Sequence, residues 1–358
     1  MRPNFKTPQM LIVASIVFCG ATSSASAQFV RPAARKPGAS ATKRPSKKTD
    51  APRPREVAKA VAEDPSATLE AGLALQLALE RACFSPGIID GVIGSKTRSA
   101  LMAFQTLEGL KPTGEPDAET ARRLGLEGFI PTRRYTLTKA DASRVGPCPT
   151  DWIERAEAER MPFRSLLEVI AFEGHCTRRL LERLNPALDL DQLSVGQTIT
   201  LPNVEKPDRS PRAASIEIDF SNKHVRVVDT LGRLVALFNC SIARQRTDRP
   251  EGDCSIQSIA INPVYTFRPE SWPEVKGIDR VLLIPPGPRN PVGLCWIDLS
   301  IDGYGIHGTP EPEMIGKTGS HGCIRMTNWD ILRLAEMVRP GMRVALLQGD
   351  QQVAVGAQ

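Results

Sequence analysis

The pattern of apolar positions divides this chain into three regions, each predicting a different mix of elements. From Leu69 to Gly125 they recur at helical spacing in three stretches separated by turns. Leu73, Leu75, Leu77 and Leu79 crowd the first stretch; Ala100, Leu101, Phe104 and Leu107 share one face of the second. Gly91 and Gly94 permit tight turns between them, and Ser95 is a plausible N-cap. A third, short helix lies between the "PTGEPD" turn and Gly125. A second region, 134–203, predicts a strand at "YTLTKADA", helices at "RSLLEVIAFEGH" and "RRLLERLNP", then a turn and strand at "LDLDQLSVGQTITLPN". From 213 to 349 the pattern alternates with period two, as in half-buried strands: "SIEIDFSNKHVRVVD", "RLVALFNCSIA", "DCSIQSIAINPVYTF". One helix interrupts it late, "TNWDILRLAEMVRPG", opening at a Thr/Asn cap and stopping before Pro340-Gly341; "MRVALLQ" closes the domain as a strand.

Upstream of these regions the composition shifts. Residues 28–66 are rich in Pro, Ala, Ser and basic side chains and nearly free of large apolar ones, so the segment is expected to stay an extended, disordered tether. Its charge would also draw it toward an anionic polymer or membrane surface. Residues 1–27 carry Arg2 and Lys6, an apolar run from Met10 to about Gly20, and small residues at Ala25-Ser26-Ala27. That order predicts a cleaved export signal. The run is too short for a bilayer-spanning helix, so no membrane span is expected after cleavage. The formal net charge of +6 is modest, and no nucleic-acid partner is expected. Export would leave seven cysteines, an odd number: six to pair and one to remain a thiol.

The candidate chemistry is concentrated in "GYGIHGTPEPEMIGKTGSHGCIRMTN", Gly303 to Asn328, which holds two of the four histidines and one of the eight cysteines. Cysteine attacks as thiolate, and a neighbouring imidazole can take its proton. His307 ends an apparent buried strand, and the loop after it, with Pro310, Pro312, Gly316 and Gly319, could fold it back beside Cys323. The amides of Gly322 and Cys323 are candidate oxyanion donors, and the helix near Thr327 adds a positive dipole. Zinc is a poorer reading, because two His and one Cys lack a clear fourth ligand. A structural disulfide from Cys323 to Cys295 is a third alternative. His175 reads as a surface or capping residue rather than a metal ligand, His224 as an exposed sheet residue, and Trp272 and Trp296 as core or rim packing.

Three resemblances add to this. Leu75-Gln76, the Asp90-Gly91-x-x-Gly94-x-x-Thr97 loop and Ala100-x-x-x-Phe104-Gln105 resemble the peptidoglycan-binding type 1 family over 67–128, where those residues are expected to shape the fold rather than touch ligand. Leu184-Asn185-Pro186 and Val195-Gly196-x-x-Ile199-x-x-Pro202 resemble a LysM domain over 134–203, with an unusually long middle between Cys148 and Cys176. "GIHGT" followed by "SHGCIRM", with "NPVG" at Asn290 to Gly293, resembles the L,D-transpeptidase (YkuD) catalytic domain over 213–349. The resemblance implies a mainly-β, sandwich-like catalytic domain with one helix after the cysteine, preceded by a small three-helix domain and a small α/β domain. It implies Cys323 as nucleophile, His307 as base, the Gly308 carbonyl as its orienter, and Ser320, His321 and Gly322 shaping the oxyanion region. Arg325 becomes a candidate for a substrate carboxylate, with a structural ion pair as the alternative, and Tyr304 and the loop at Arg289 candidates for the cleft wall. The implied partners are peptidoglycan stem peptides and glycan, with a wall-attached protein as a further acceptor; no metal or organic cofactor is needed. The implied reaction is acyl transfer in the cell envelope or periplasm. A hydrolase on the same fold and a non-catalytic wall-binding scaffold are the alternatives. The turn before Cys254 departs from the family's Thr-Pro-x-Gly, and a disulfide between Cys240 and Cys254 could cross it; Cys148 with Cys176 and Cys83 with Cys295 would complete three pairs and leave Cys323 as the thiol, the alternative being that Cys83 stays reduced as a buried helical thiol.

Overall fold

The structure, a computed structural model, describes residues 65–206, 210–250, 252–272, 274–319 and 322–348. The expected leader, nearly all of the expected tether, Ser320 and His321 lie outside the described residues.

The first module packs α1 (Pro65–Arg81), α2 (Ser95–Leu107) and α3 (Ala118–Leu124) around Leu75, Leu79, Phe84, Leu101 and Phe104. Its motif residues are spent internally, as expected. Gln76 accepts from the amides of Asp90 and Gly91 and donates to Asp90 Oδ1 and the Val92 carbonyl. Gln105 does the same for the second turn, accepting from Gly114 N and donating to Thr120 Oγ1 and the Glu115 carbonyl. Two buried amides therefore hold two loops, each with its polar atoms satisfied. Helix α3 starts at Asp117, whose side chain accepts from Thr120 N, and ends at Gly125 in the left-handed conformation.

The second module runs β1 (Thr132–Thr136), α4 (Lys139–Ser143), α5 (Trp152–Glu157), α6 (Leu166–Glu173), α7 (Arg178–Leu184) and β2 (Thr198–Pro202). β1 and β2 pair antiparallel, Tyr135 opposite Ile199, and Asn185 ties α7 to β2 by bonds to the backbone of Leu181 and Thr200. The long middle forms α5, whose Trp152 and Ala156 pack outward against Tyr265 and Phe267, and the approach to α6, where Phe163 bonds back to Arg144 and packs on Phe172.

The third module contains β3 (Ser215–Asp219), β4 (His224–Val228), β5 (Leu234–Asn239), β6 (Cys254–Ile261), β7 (Tyr265–Phe267), β8 (Leu282–Ile284), β9 (Cys295–Leu299), β10 (Gly305–His307), β11 (Ile324–Arg325), α8 (Asn328–Met337) and β12 (Arg343–Leu347). Eight strands form one mixed sheet in the order β11-β10-β9-β6-β12-β3-β4-β5, while β7 and β8 make a separate hairpin. Ser241, just past β5, exchanges two backbone hydrogen bonds with Arg325 in β11, at 2.8 and 2.9 Å. The two edges thus meet through one rung, and the sheet curls round a core of Ile216, Ile218, Val225, Phe238, Ile297, Ile306 and Ile324, closed by α8. The mainly-β expectation with one late helix holds, down to the Thr327 cap that accepts from Asp330 N.

Both small modules are joined to this third module, the first at its sheet edge and the second at its β7–β8 hairpin. Phe84 makes a parallel bridge to Leu237 of edge strand β5, covering backbone groups that would otherwise invite another strand. From the second module, Trp152 packs tilted on Phe267 with ring centroids 4.4 Å apart, beside Tyr265 and Trp272, and Met161 N donates to the Pro286 carbonyl at 2.8 Å.

The cysteines correct the sequence reading. No disulfide joins any of the seven cysteines among the described residues. Cys240 leaves β5 and Cys254 opens β6, four ladder steps away, so the turn between them does not bring them together. Cys176 lies in the second module's core whereas Cys148 packs against the aromatic cluster under β7 and β8. Cys83 and Cys295 share the sheet's core without a bond. Burial pushes Cys83 and Cys254 up to about 11 and Cys176 and Cys295 up to about 12, which keeps these thiols protonated and inert.

Candidate active site

Three short strands set the site. β9 and β10 are antiparallel, with His307 opposite Trp296 and Gly305 opposite Asp298; β10 and β11 are parallel, with His307 beside Arg325 and Ile306 beside Ile324. Side chains alternate across a sheet, and paired residues point the same way. Ile297, Ile306 and Ile324, all fully buried, take the core face. Trp296, Asp298, Gly305, His307 and Arg325 therefore take the other face, and Cys323, two residues before Arg325, belongs to it. This register carries Cys323 to the strand beside His307, offset by about one rung: roughly 8 Å between Cα atoms from a 4.8 Å strand spacing and 3.3 Å per residue.

His307 is buried, and its ring lies on Trp296 with centroids 5.5 Å apart. Nδ1 is 2.7 Å from the Gly308 carbonyl oxygen. A carbonyl can only accept, so Nδ1 carries the proton and Nε2 keeps a free lone pair. Burial holds the imidazole down to about 4, the Gly308 carbonyl partly offsetting it and the Arg325 guanidinium adding to it. The ring is neutral at neutral pH. Gly305 is required beneath it, because a Cβ there would come within 2.4 Å of the Trp296 ring.

Cys323 is half-buried, and its thiol donates to the Gly303 carbonyl over 3.6 Å. Burial pushes the thiol up; the Gly305 N–H and the Arg325 guanidinium pull it back, without cancelling the burial. The resting pair is thus neutral thiol and neutral imidazole. Two of the chain's three tyrosines flank the sulfur. Burial raises the Tyr304 phenol, with a thiolate at Cys323 adding to it once formed; the phenol donates to the Asp248 carbonyl at 3.1 Å. Tyr265 is pushed up to about 12, first by burial, and accepts from Trp272 Nε1 at 2.8 Å.

Among the residues expected from the sequence, the structure brings together His307, Gly308, Gly322, Cys323, Arg325 and Tyr304; a Cβ at Gly322 would lie 3.3 Å from the Tyr304 ring. Arg325 is half-buried, and burial lowers its guanidinium, a cost that a thiolate at Cys323 would partly offset. Ser320 and His321 lie outside the described residues. Arg289 does not stand free in the cleft wall: it is paired with Glu168 and Glu311 and donates to the Pro310 carbonyl. His175 is no surface residue either. It pairs with Glu80 and stacks on Trp329 at 4.8 Å where the three modules meet. His224 is half-buried at the start of β4 rather than exposed.

Two asparagines complete the frame. Asn290, fully buried, donates to the carbonyls of Pro263, Ile284 and Pro285 and accepts from Val292 N, so the "NPVG" segment is a corner that fixes the β7–β8 hairpin over the site. Asn328 accepts from Leu294 N at 3.0 Å and donates to the Pro288 carbonyl at 3.1 Å. Its Oδ1 is wedged so close to Gly308 that a Cβ there would come within 2.2 Å. Tyr265 and Asn328 were not legible as site residues. Nothing local marks a tyrosine in a short strand, and Asn328 reads only as part of a helix cap.

Comparison with known proteins follows the same division of the chain. Residues 213–346 match the family described as L,D-transpeptidase catalytic domain, and residues 70–124 a peptidoglycan binding domain family. Two Bacillus proteins share the name "Putative L,D-transpeptidase YkuD". The one from Bacillus licheniformis is 34% identical over 180 residues and the one from Bacillus subtilis 28% identical over 180 residues, each covering 50% of this chain and 92% of the relative. A solved L,D-transpeptidase structure from Xylanimonas cellulosilytica aligns with a TM-score of 0.32 at 17% identity, covering 77% of this chain and 93% of that one.

Proposed function

This chain belongs to the L,D-transpeptidase family, and from that premise we propose that Cys323 and His307 carry out acyl transfer between peptidoglycan stem peptides. The enzyme is a cysteine acyltransferase, peptidoglycan is its substrate class, and the cell envelope is where that substrate is met. One observation supports the residue assignment: His307 ends a strand paired in parallel with the one that Cys323 immediately precedes, and Nδ1 of His307 is bound to the Gly308 carbonyl, leaving Nε2 as the acceptor.

In the proposed reaction the Cys323 thiol gives its proton to His307 Nε2 as sulfur bonds to the carbonyl carbon of the L-centred third residue of a donor tetrapeptide. The C–N bond to the terminal D-alanine breaks, and its nitrogen takes the proton back from His307. The product of this half is a thioester and free D-alanine. An acceptor amine then loses a proton to His307 and attacks the thioester, forming a 3→3 cross-link or an attachment to a wall protein and returning the thiol. A buried imidazole with a pKa near 4 is a weak resting base, but once protonated it is a strong acid facing the leaving amine. The amides at Gly322 and Cys323, with Ser320 and His321, would hold the oxyanion; Arg325 would hold a substrate carboxylate and Tyr304 line the cleft. The paired strands and packed helices of 134–203 support the LysM-like reading, and 67–128 would act with it at the wall. Residues 1–27 would direct export to the periplasm, with 28–66 as the tether. Among the described residues no helix is long and apolar enough to cross a membrane.

The test is incubation of the chain and its Cys323→Ala variant with disaccharide-tetrapeptide, read by mass spectrometry. Loss of D-alanine with formation of a dimer, absent in the variant, is expected. Tripeptide alone would make the enzyme a hydrolase, and no change with either protein would sink the donor assignment.

A further inference from the structure

We propose that Lys96, in the peptidoglycan-binding module, is a positioning residue for the catalytic loop that joins His307 to Cys323. The proposal rests on the acyl-transfer reading above and adds a role that wall binding does not require.

The base from which Lys96 acts is rigid. Besides the Phe84–Leu237 bridge, Ser85 N donates to the Leu237 carbonyl at 2.8 Å, Leu237 N to the Cys83 carbonyl at 3.0 Å, and Asn239 Nδ2 to the Ser85 carbonyl at 2.9 Å. Leu237 is itself buried in the core of the helical module. The module is therefore hydrogen-bonded to the edge of the catalytic sheet, and α2 has a fixed place relative to the site.

From the first turn of α2, Lys96 Nζ donates to the Ile315 carbonyl at 2.7 Å. The next carbonyl, Gly316, accepts from Lys223 Nζ at 3.0 Å, and the Gly316 amide donates to Ser241 Oγ at 2.8 Å. Three segments thus grip two consecutive residues midway between His307 and Cys323, and Ile315 is buried at this point. Ser241 carries the grip onward, because its backbone exchanges two hydrogen bonds with Arg325, two residues past Cys323. From Lys96 to β11 the connections are hydrogen bonds and one short piece of backbone.

The lysine is built into this place rather than resting on it. Its stem lies against two glycines: a Cβ at Gly87 would be 3.0 Å from Lys96 Cδ, and one at Gly316 would be 3.4 Å from Cε. A solvated lysine needs no such clearance. Burial, with Lys317 and Lys223 nearby, lowers the ammonium's pKa, so the contact is held against a desolvation cost. A module that served only as a wall anchor would have no use for that contact.

The test uses the full chain as wild type, Lys96→Met and Lys96→Arg. Met keeps the apolar length without a donor; Arg restores the donor. With disaccharide-tetrapeptide as donor, Lys96→Met is expected to lower the acylation rate at saturation about tenfold, with KM unchanged. Sedimentation with isolated sacculi should be unchanged, and Lys96→Arg should recover most of the rate. Hydrogen exchange at 308–319 should rise in Lys96→Met while the β3–β4 amides stay protected. Wild-type rates in Lys96→Met, a change confined to KM or to sacculus binding, or a loss in both variants with a general rise in exchange would each overturn the proposal. The exchange readout needs no substrate. Unchanged protection at 308–319 therefore overturns the positioning role whatever the donor, whereas a wild type that never acylates overturns the donor assignment.

Discussion

At the residue scale the site is governed by dehydration. Burial lowers the His307 imidazole from its ordinary 6.5 to about 4 and raises the Cys323 thiol, so both rest uncharged. A base whose folded pKa is depressed binds fewer protons folded than unfolded between those two values. Its contribution to stability is complete above 6.5 and is lost as pH falls through 4, amounting to about 3 kcal/mol over that window. Wild type should therefore lose more thermal stability between pH 7 and pH 4 than His307→Gln. Melting curves across that range check this, and parallel curves would mean the ring is not the group being forced to charge. This pairing of residues was suggested by "IHG" and "SHGC"; the protonation state was not, because it depends on what covers the ring.

At the element scale, what matters is how a three-residue strand is held. The Gly308 carbonyl fixes the His307 tautomer, and Asn328 at the start of α8 leaves no room for a side chain at 308. Gly308→Ala should push the carbonyl off Nδ1 and cost about a hundredfold in kcat, the scale expected of an ångström-sized misplacement near the chemistry. Steady-state kinetics with disaccharide-tetrapeptide measure it. An unchanged kcat would show that the carbonyl does not orient the ring. Helix α8 was legible from its cap and its stop, and the strands from their alternation, since these signals are local. The hairpin of β7 and β8, its Asn290 corner and the closing rung at Ser241 were not, because each depends on a partner far away in sequence.

At the scale of the whole molecule, three modules meet around one buried carboxyl. Asp330 of α8 accepts from Ser85 Oγ of the first module at 3.0 Å, with Glu80, His175 and Arg333 around the same small cavity. Burial, with Glu80 adding to it, pushes Asp330 up to about 7. For an acid with a raised folded pKa the sign is opposite to that of His307. The folded state binds the extra proton between 3.8 and 7, so this stability is present at low pH and is lost as pH rises through 7, by about 4 kcal/mol if fully expressed. Asp330→Asn should gain stability over wild type as pH goes from 5 to 8, read by denaturant unfolding. A constant difference across that range would remove Asp330 as the titrating group. The helical first module was legible; its docking on β5 was not, since a single bridge at Phe84 leaves no periodic trace.

By itself the sequence determined the candidate chemistry and the local elements: a thiol and an imidazole in two ordered motifs, helices where apolar residues recur every three to four positions, strands where they alternate. These properties belong to short stretches, and short stretches carry them without help from the rest of the chain. Only the tertiary structure decided the register that puts His307 and Cys323 on one face, the fate of the cysteines, and the reach of Lys96 into the catalytic loop. Each of these is a contact between segments distant in sequence, chosen by how the whole chain buries its apolar surface and satisfies its polar groups.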